Sequence, residues 1–164
     1  MADDRFHHCA GASARGWRPQ NKRGADAQGL GRSRGGLSTK IHAAGDALGN
    51  PLRLIGSPGQ RNDIAFADDL LEGFAADATI GDKAYDADHL CHKIAETGAQ
   101  IVIPPKRNRT IKRAYDTELY KERNIIERFF NKLKQFRRVA TRYDKLLANF
   151  MGFVKLAAIA IWLK

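Results

Sequence analysis

Hydrophobic and polar residues alternate with a helical period between residues 120 and 136. At about 100° per residue, the apolar face contains Ile125, Ile126, Phe129, Phe130, Leu133 and Phe136, and the polar face contains Tyr120, Arg123, Glu127, Asn131 and Lys134. The pattern predicts an amphipathic helix over residues 120–134 whose apolar face packs into a core.

The polar face of this helix carries one carboxylate between two cations. Arg123 precedes Glu127 by one helical turn, and Lys134 follows it by two. A carboxylate can bind a hard divalent cation and the two cations can hold phosphate oxygens, so the face suits a site that handles metal and phosphate together. An ordinary surface ion pair between Arg123 and Glu127 is the alternative interpretation of the same spacing.

The remaining pattern predicts a mixed α/β domain. Strand-forming residues on both sides of a connection rich in Gly, Asn and Pro predict an antiparallel hairpin over residues 37–57. Helices are predicted over residues 63–74, with Asp63 as N-cap, and over about 146–162. Residues 78–81 and 99–103 are strand candidates joined by a helix that closes at Gly98, which indicates a parallel βαβ unit.

Polar residues follow both strands of this unit. Asp82 comes directly after the first strand, where open α/β sheets place their binding sites. Lys106, Arg107 and Arg109 follow the second strand and leave the same sheet edge, so we expect them to contact the DNA backbone, although a solvated turn would have the same composition. A second basic run contains Arg137 and Arg138, which are further candidates for DNA contact.

Length and composition favour one folded domain. The chain has 164 residues, 43% of them hydrophobic, which is enough for one core. Residues 1–36 are rich in Gly, Ala, Arg and Ser and are predicted to form an irregular basic segment. Residues 37–164 are predicted to form the domain.

Charge is distributed unevenly along the chain. The net charge is +5 over residues 1–60, −6 over residues 61–100 and +11 over residues 101–164. A basic chain with an acidic middle is expected of a protein that surrounds a cation site with a phosphate-binding surface. Basicity alone fits an RNA-binding protein as well, but no aromatic base-stacking motif is visible.

Several function classes are disfavoured. The most apolar stretch is interrupted by Asn149, Gly152 and Lys155, and the N-terminus does not have the pattern of a secretory signal, so we expect neither membrane insertion nor secretion. Two distant cysteines argue against a disulfide framework and for a reducing, cytoplasmic setting. The adjacent residues 7–9, HHC, make a poor metal site because no partner cluster accompanies them.

Six parts of the chain occur in an order that resembles a known family. They are GRSRGGLSTKIHA with DALGNPLR, GDKAYD at 81–86, VIPPKRNR at 102–109, the pattern formed by Tyr120, Arg123, Glu127 and Lys134, and TRYDK at 141–145. From about Gly31 to the C-terminus the chain resembles the DDE-type bacterial insertion-sequence transposases of the insertion-sequence-5 type. The resemblance implies a ribonuclease-H-like fold, a mixed sheet flanked by helices, in which two Asp and one Glu hold two Mg²⁺ ions, with Mn²⁺ as a substitute.

The resemblance also implies roles for individual residues. Asp82 matches the second catalytic Asp and Glu127 the catalytic Glu, both as metal ligands. Tyr120, Arg123 and Lys134 match positions that contact the DNA ends; Arg123 and Lys134 would hold phosphate oxygens, and Tyr120 would stack on or bond to the terminal nucleotide. The implied activity is metal-dependent strand cleavage at the ends of an insertion sequence and strand transfer to target DNA.

The family's first Asp has no clear counterpart. It lies about a dozen residues before an Ala-Gly-Ala segment like residues 10–12, and that count passes Met1. Asp3 or Asp4 can fill the role only with a shortened segment, so Asp4 is the candidate for the third catalytic and metal-binding residue. We therefore expect a domain incomplete at its N-terminus, in which residues 37–44 form an exposed sheet edge.

Two functions follow from this departure. The chain is either a transposase, acting alone or with a polypeptide from an upstream reading frame, or a catalytically inactive form that only binds DNA. The expected partners are double-stranded DNA, both terminal repeats and target, and a second copy of the chain at the DNA ends. The expected location is the bacterial cytoplasm, at the nucleoid.

Overall fold

The structure is a computed structural model that describes residues 6–15, 28–33 and 36–163, with the backbone alone in the first range. Six strands are present in these ranges: β1 (Phe6–Arg15), β2 (Gly31–Ser33), β3 (Gly36–Gly45), β4 (Pro51–Pro58), β5 (Ala78–Gly81) and β6 (Gln100–Val102). The α-helices are α1 (Ala67–Leu71), α2 (Asp88–Glu96), α3 (Thr117–Tyr120), α4 (Asn124–Lys134), α5 (Arg137–Ala140) and α6 (Leu147–Trp162). Short 3₁₀ turns cover Asp63–Phe66, Lys83–Tyr85 and Lys121–Arg123.

The strands form a mixed sheet in the order β2-β3-β1-β5-β6, and β4 also pairs with β3. Strand β5 is parallel to β1, with Phe6 opposite Ala78 and Cys9 opposite Gly81, and parallel to β6. Strand β2 is antiparallel to β3. The predicted mixed α/β class is confirmed, as are the βαβ unit of β5, α2 and β6 and the pairing of β3 with β4.

The predicted irregular segment over residues 1–36 contains regular structure. Strands β1 and β2 both lie within it. Pairing with β5 gives the backbone of β1 hydrogen-bond partners, so tertiary structure overrides a local composition that disfavours strands. The exposed sheet edge predicted for residues 37–44 is not observed, because the sheet order places strand β3 between β2 and β1.

The chain divides into two compact units, each formed from several segments. Within the described residues, the first unit contains 6–10, 43–53 and 62–127, and the second contains 11–15, 28–33, 36–42, 54–61 and 128–163. In the first unit, Ala78, Ile80 and Val102 form a buried cluster from β5 and β6. In the second unit, the buried residues include Phe129, Phe130 and Leu133 on α4 and Phe150 and Val154 on α6.

The amphipathic region predicted as one helix over residues 120–134 is observed as three consecutive helical segments. Tyr120 ends α3, Arg123 ends the 3₁₀ turn and Glu127 lies in the first turn of α4. The stretch begins at Asp116, whose side chain accepts hydrogen bonds from the backbone N–H groups of Glu118 and Leu119 and so caps α3. The apolar face is buried as predicted over residues 126–133, whereas Phe136 is 38% exposed.

The connection between β3 and β4 shows how sequence determines a turn. Asp46 accepts hydrogen bonds from the backbone N–H groups of Leu48 and Asn50, at 2.9 and 2.8 Å. Gly49 has a φ of +86°, and a Cβ there would lie 2.5 Å from a methyl carbon of Ile125. Both the conformation and the space therefore require glycine at this position.

In the second unit, a buried arginine joins the segment after α5 to strand β3. Arg142 is 1% exposed, lies 5.3 Å from the ring centre of Phe150 and has no carboxylate partner among the described residues. Its acceptors are the backbone carbonyl oxygens of Gln28, Gly29, Asp144 and Lys145 and the hydroxyl of Thr39. The arginine of the TRYDK segment is therefore a structural residue.

Replacing Arg142 by Met should lower the free energy of unfolding by about 3 kcal/mol, because several buried carbonyl groups lose their donor. Arg137→Met, at an exposed position of α5, is the matched control and should change it by less than about 0.5 kcal/mol. Urea denaturation followed by circular dichroism measures both. Equal unfolding curves for the two variants would contradict the structural role of Arg142.

Candidate active site

Asp82 lies where the carboxyl end of β5 meets the 3₁₀ turn Lys83–Tyr85. The residue is half-buried, and its side chain makes no hydrogen bond to the backbone of the turn. Among the residues that the structure describes, no cationic side chain forms an ion pair with it. Its carboxylate is therefore uncommitted and can bind an external ligand.

Arg123 and Glu127 form an ion pair across one helical turn. The distance from Arg123 Nη2 to Glu127 Oε1 is 2.8 Å, and the two side chains are 24% and 47% exposed. The guanidinium carbon of Arg123 also lies 5.5 Å from the ring centre of Tyr120. Tyr120, Arg123 and Glu127 thus form a contiguous polar surface, as the helical pattern predicted.

Tyr120 connects this surface to the strand that presents Asp82. Its ring packs against the cluster of Ala78, Ile80 and Val102 and meets Tyr115 edge to face, with ring centres 5.5 Å apart. Burial raises the pKa of the Tyr120 hydroxyl, and the nearby carboxylate of Asp82 raises it further, against the opposing charge of Arg123. The hydroxyl stays protonated at neutral pH and can donate a hydrogen bond.

The structure therefore brings four of the predicted site residues together in the first unit: Asp82, Tyr120, Arg123 and Glu127. Carboxylate oxygens from Asp82 and Glu127 are the donor type that Mg²⁺ and Mn²⁺ prefer. The Tyr120 ring is already packed on one side and contacted by Arg123, so hydrogen bonding through its hydroxyl fits the geometry better than stacking on a base.

The third predicted carboxylate stays a prediction. Asp3 and Asp4 lie outside the described residues. On the neighbouring strand β1, the residue after the Cys9–Gly81 pair is Ala10, which has no metal-binding group. Within residues 28–33 and 36–163, no group of three His, Cys, Asp or Glu side chains is close enough to hold a metal ion.

The basic loop after β6 is held by an aspartate that the sequence analysis did not single out. Asp86, 3% exposed, accepts hydrogen bonds from the backbone N–H of Lys106 at 2.7 Å and from Arg109 Nε at 2.6 Å, and it pairs with Arg113. Arg109 also bonds to Asp88 at 2.7 Å. Burial opposes ionisation of Asp86, but these hydrogen bonds and charges outweigh it and lower the pKa of its carboxyl.

This network changes the interpretation of the loop. The guanidinium of Arg109, predicted to contact DNA, is committed to Asp86 and Asp88, whereas Arg107 is exposed. A signal for the network was present in the sequence. A parallel βαβ unit places the acidic residues after its first strand and the basic residues after its second at one sheet edge.

The remaining predicted DNA contacts lie in the second unit. Lys134 ends α4 and is exposed, and Arg137 and Arg138 are exposed on α5. The guanidinium carbon of Arg138 lies 4.5 Å from the ring centre of Phe153. In the part of the chain that the structure describes, no helix is long and apolar enough to cross a membrane.

Comparison with known proteins identifies the family to which the chain belongs. Residues 4–163 match the family model described as the transposase DDE domain, so the chain belongs to the DDE transposase family. Over 132 residues it is 48% identical to a Brucella ovis protein named "Putative transposase for insertion sequence element IS6501". That alignment covers 78% of this chain and the whole of the Brucella protein. The resemblance found in the motifs, to DDE-type insertion-sequence transposases, is confirmed.

Asp82→Asn and Glu127→Gln should each change the free energy of unfolding by less than about 0.5 kcal/mol. The reason is that Asp82 has no ion-pair partner among the described residues and the pair of Glu127 with Arg123 is half-exposed. Thermal and urea unfolding of both variants measure this. A loss of more than about 2 kcal/mol would indicate that these carboxylates serve the fold instead of a reaction.

Proposed function

We propose that this chain carries the catalytic domain of an insertion-sequence transposase, with a ribonuclease-H-like fold, that cleaves DNA strands at the element's ends and transfers them to target DNA. Membership of the DDE family and the mixed sheet support this proposal. The observation that carries it is the uncommitted carboxylate of Asp82 beside the surface of Tyr120, Arg123 and Glu127.

Asp82 and Glu127 are the proposed ligands of divalent cations, two Mg²⁺ ions with Mn²⁺ as a substitute. Bound divalent ions would supply activation of the attacking water and stabilisation of the leaving oxygen of the phosphodiester. The fit is chemical, because both residues offer the hard oxygen donors that these ions prefer. Asp4 is the proposed third ligand.

The cationic and phenolic groups have separate proposed roles. Arg123, oriented by its ion pair with Glu127, can hold two phosphate oxygens through its planar fork. The protonated hydroxyl of Tyr120 donates to the terminal nucleotide, and packing of its ring fixes where that hydroxyl lies. Lys134 contributes a further phosphate contact.

Further DNA contacts are proposed for cations outside this group. Lys106, partly buried, and Arg107, exposed, lie on the loop after β6 of the first unit, and Arg137 and Arg138 are exposed on α5 of the second. Each cation that neutralises a phosphate releases a counterion, so affinity for double-stranded DNA should fall steeply with salt. A homodimer that holds two DNA ends, an upstream-frame polypeptide as partner and a location at the nucleoid are parts of the same proposal.

A second candidate is a catalytically inactive chain that binds DNA through the same cations. The observation that favours it is Ala10, which follows the Cys9–Gly81 pair on the neighbouring parallel strand and offers no carboxylate for a metal site. Loss of one metal ligand would remove cleavage and leave most of the salt-dependent affinity for DNA.

Nicking of supercoiled plasmid in Mg²⁺ or Mn²⁺ should distinguish the two candidates. Cleavage by the wild-type chain should fall at least about 100-fold in Asp82→Asn and in Glu127→Gln, because each removes a metal ligand. Arg123→Lys should also impair it, because the bidentate fork is lost. Glu122→Gln, an exposed acid on the same helical stretch, is the control and should cleave at the wild-type rate.

Cleavage that persists in Asp82→Asn and Glu127→Gln would contradict the proposed site. A wild-type chain that binds DNA with steep salt dependence and does not cleave would support the inactive alternative instead.

A further inference from the structure

We propose that Asp86 is a positioning residue that fixes the basic loop over residues 106–113 so that its exposed cations are preorganised for DNA. The inference rests on the proposed function, because it assumes that the loop contacts DNA. Asp82 and Asp86 flank the 3₁₀ turn Lys83–Tyr85, so one short segment carries both the candidate metal ligand and the anchor of the loop.

The anchor uses both oxygens of a buried carboxylate. Oδ2 accepts from the backbone N–H of Lys106 and from Arg109 Nε, and Oδ1 accepts from Arg113. The side chain of Asp86 is completely buried, whereas Arg109 and Arg113 are 21% and 30% exposed. One carboxylate therefore holds the loop at three points spread over eight residues of chain.

The loop has few other means of staying in place. Residues 107, 108 and 110–112 are all exposed, and Ile111, the large apolar side chain of the loop, is 81% exposed. A backbone hydrogen bond from Arg109 to Lys106 closes a turn within the loop but does not attach it to the sheet. The ion network of Asp86, with Asp88 at its exposed side, is the attachment that the described residues show.

Such a network is a costly way to gain stability. Removing charges from water is expensive, and well-packed apolar residues often stabilise a fold as much or more. A buried carboxylate with directional donors does provide a defined geometry, since each guanidinium fits it in few orientations. The arrangement is suited to fixing the position of a loop.

The cations that the anchored loop would position for DNA are those that do not take part in the Asp86 network. Arg107 and Lys112 are exposed and have no ion-pair partner among the residues that the structure describes. Strands β5 and β6 are parallel, so the loop after β6 starts at the same sheet edge as Asp82. Fixing the loop through Asp86 holds these two cations in place before DNA arrives, which reduces the entropy lost on binding.

A double-mutant cycle with Asp86→Asn and Arg107→Ala tests the inference by measuring affinity for a duplex oligonucleotide at fixed salt. In the wild-type background, Arg107→Ala should weaken binding roughly threefold and reduce the slope of log affinity against log salt by about 1. In the Asp86→Asn background it should have nearly no effect, because the loop no longer holds Arg107 at the phosphate. The cycle is needed because Asp86→Asn also frees two guanidinium groups, which can bind DNA nonspecifically.

Two further variants control for folding. Arg109→Gln removes the anchor nearest Arg107 and leaves Asp86 paired with Arg113, so it should reproduce the coupling if Asp86→Asn proves unstable. Asp88→Asn removes the exposed acid, which is 69% exposed, and should leave the effect of Arg107→Ala almost unchanged. Trypsin should cleave after Arg107 and Lys112 faster in Asp86→Asn and Arg109→Gln than in the wild type.

Additive effects, with Arg107→Ala equally costly in the wild-type, Asp86→Asn and Arg109→Gln backgrounds, would overturn the positioning role while leaving the proposed function intact. Absence of DNA binding by the wild-type chain would overturn the proposed function itself, and the inference with it.

Discussion

The candidate site depends on the packing of Tyr115, Leu119 and Tyr120 against the buried cluster of β5 and β6. These side chains attach the helical stretch that carries Arg123 and Glu127 to the strand that ends at Asp82. This contact holds Asp82 near Arg123 and Glu127, which lie more than 40 positions later in the sequence. Tyr120 has a double role here, because its ring packs on the cluster while its hydroxyl remains close to the charge of Asp82.

Two aspartates four residues apart differ in the hydrogen-bond and ion-pair partners of their carboxylates. Asp82 is half-buried and has no ion-pair partner among the described residues, whereas Asp86 is buried and accepts from three donors. The hydrogen bonds and charges around Asp86 lower the pKa of its carboxyl and commit it to the protein. A carboxylate without an ion-pair partner at a strand end contributes little to the stability of the fold. Asp82 is therefore a better candidate than Asp86 for binding a ligand.

The sequence predicts those parts of the fold that local patterns determine. The period of the apolar residues locates the buried face of α4 and the extent of α6, and Gly98 correctly ends the helix between β5 and β6. Strand β1 could not be predicted, because its pairing with β5 decides its conformation. The commitment of Arg109 to Asp86 also depends on which residues the fold brings together, and a basic run alone cannot show it.

We propose that Asp82 and Glu127 belong to one metal centre. Paramagnetic broadening of backbone amide signals by Mn²⁺, recorded by NMR on the isotopically labelled chain, tests this most directly. Amides of residues 81–83 and 123–127 should broaden together at low Mn²⁺ concentration, and Asp82→Asn should abolish both effects. Broadening centred on the exposed acids Asp69 and Glu72, or broadening near Glu127 that persists in Asp82→Asn, would contradict it.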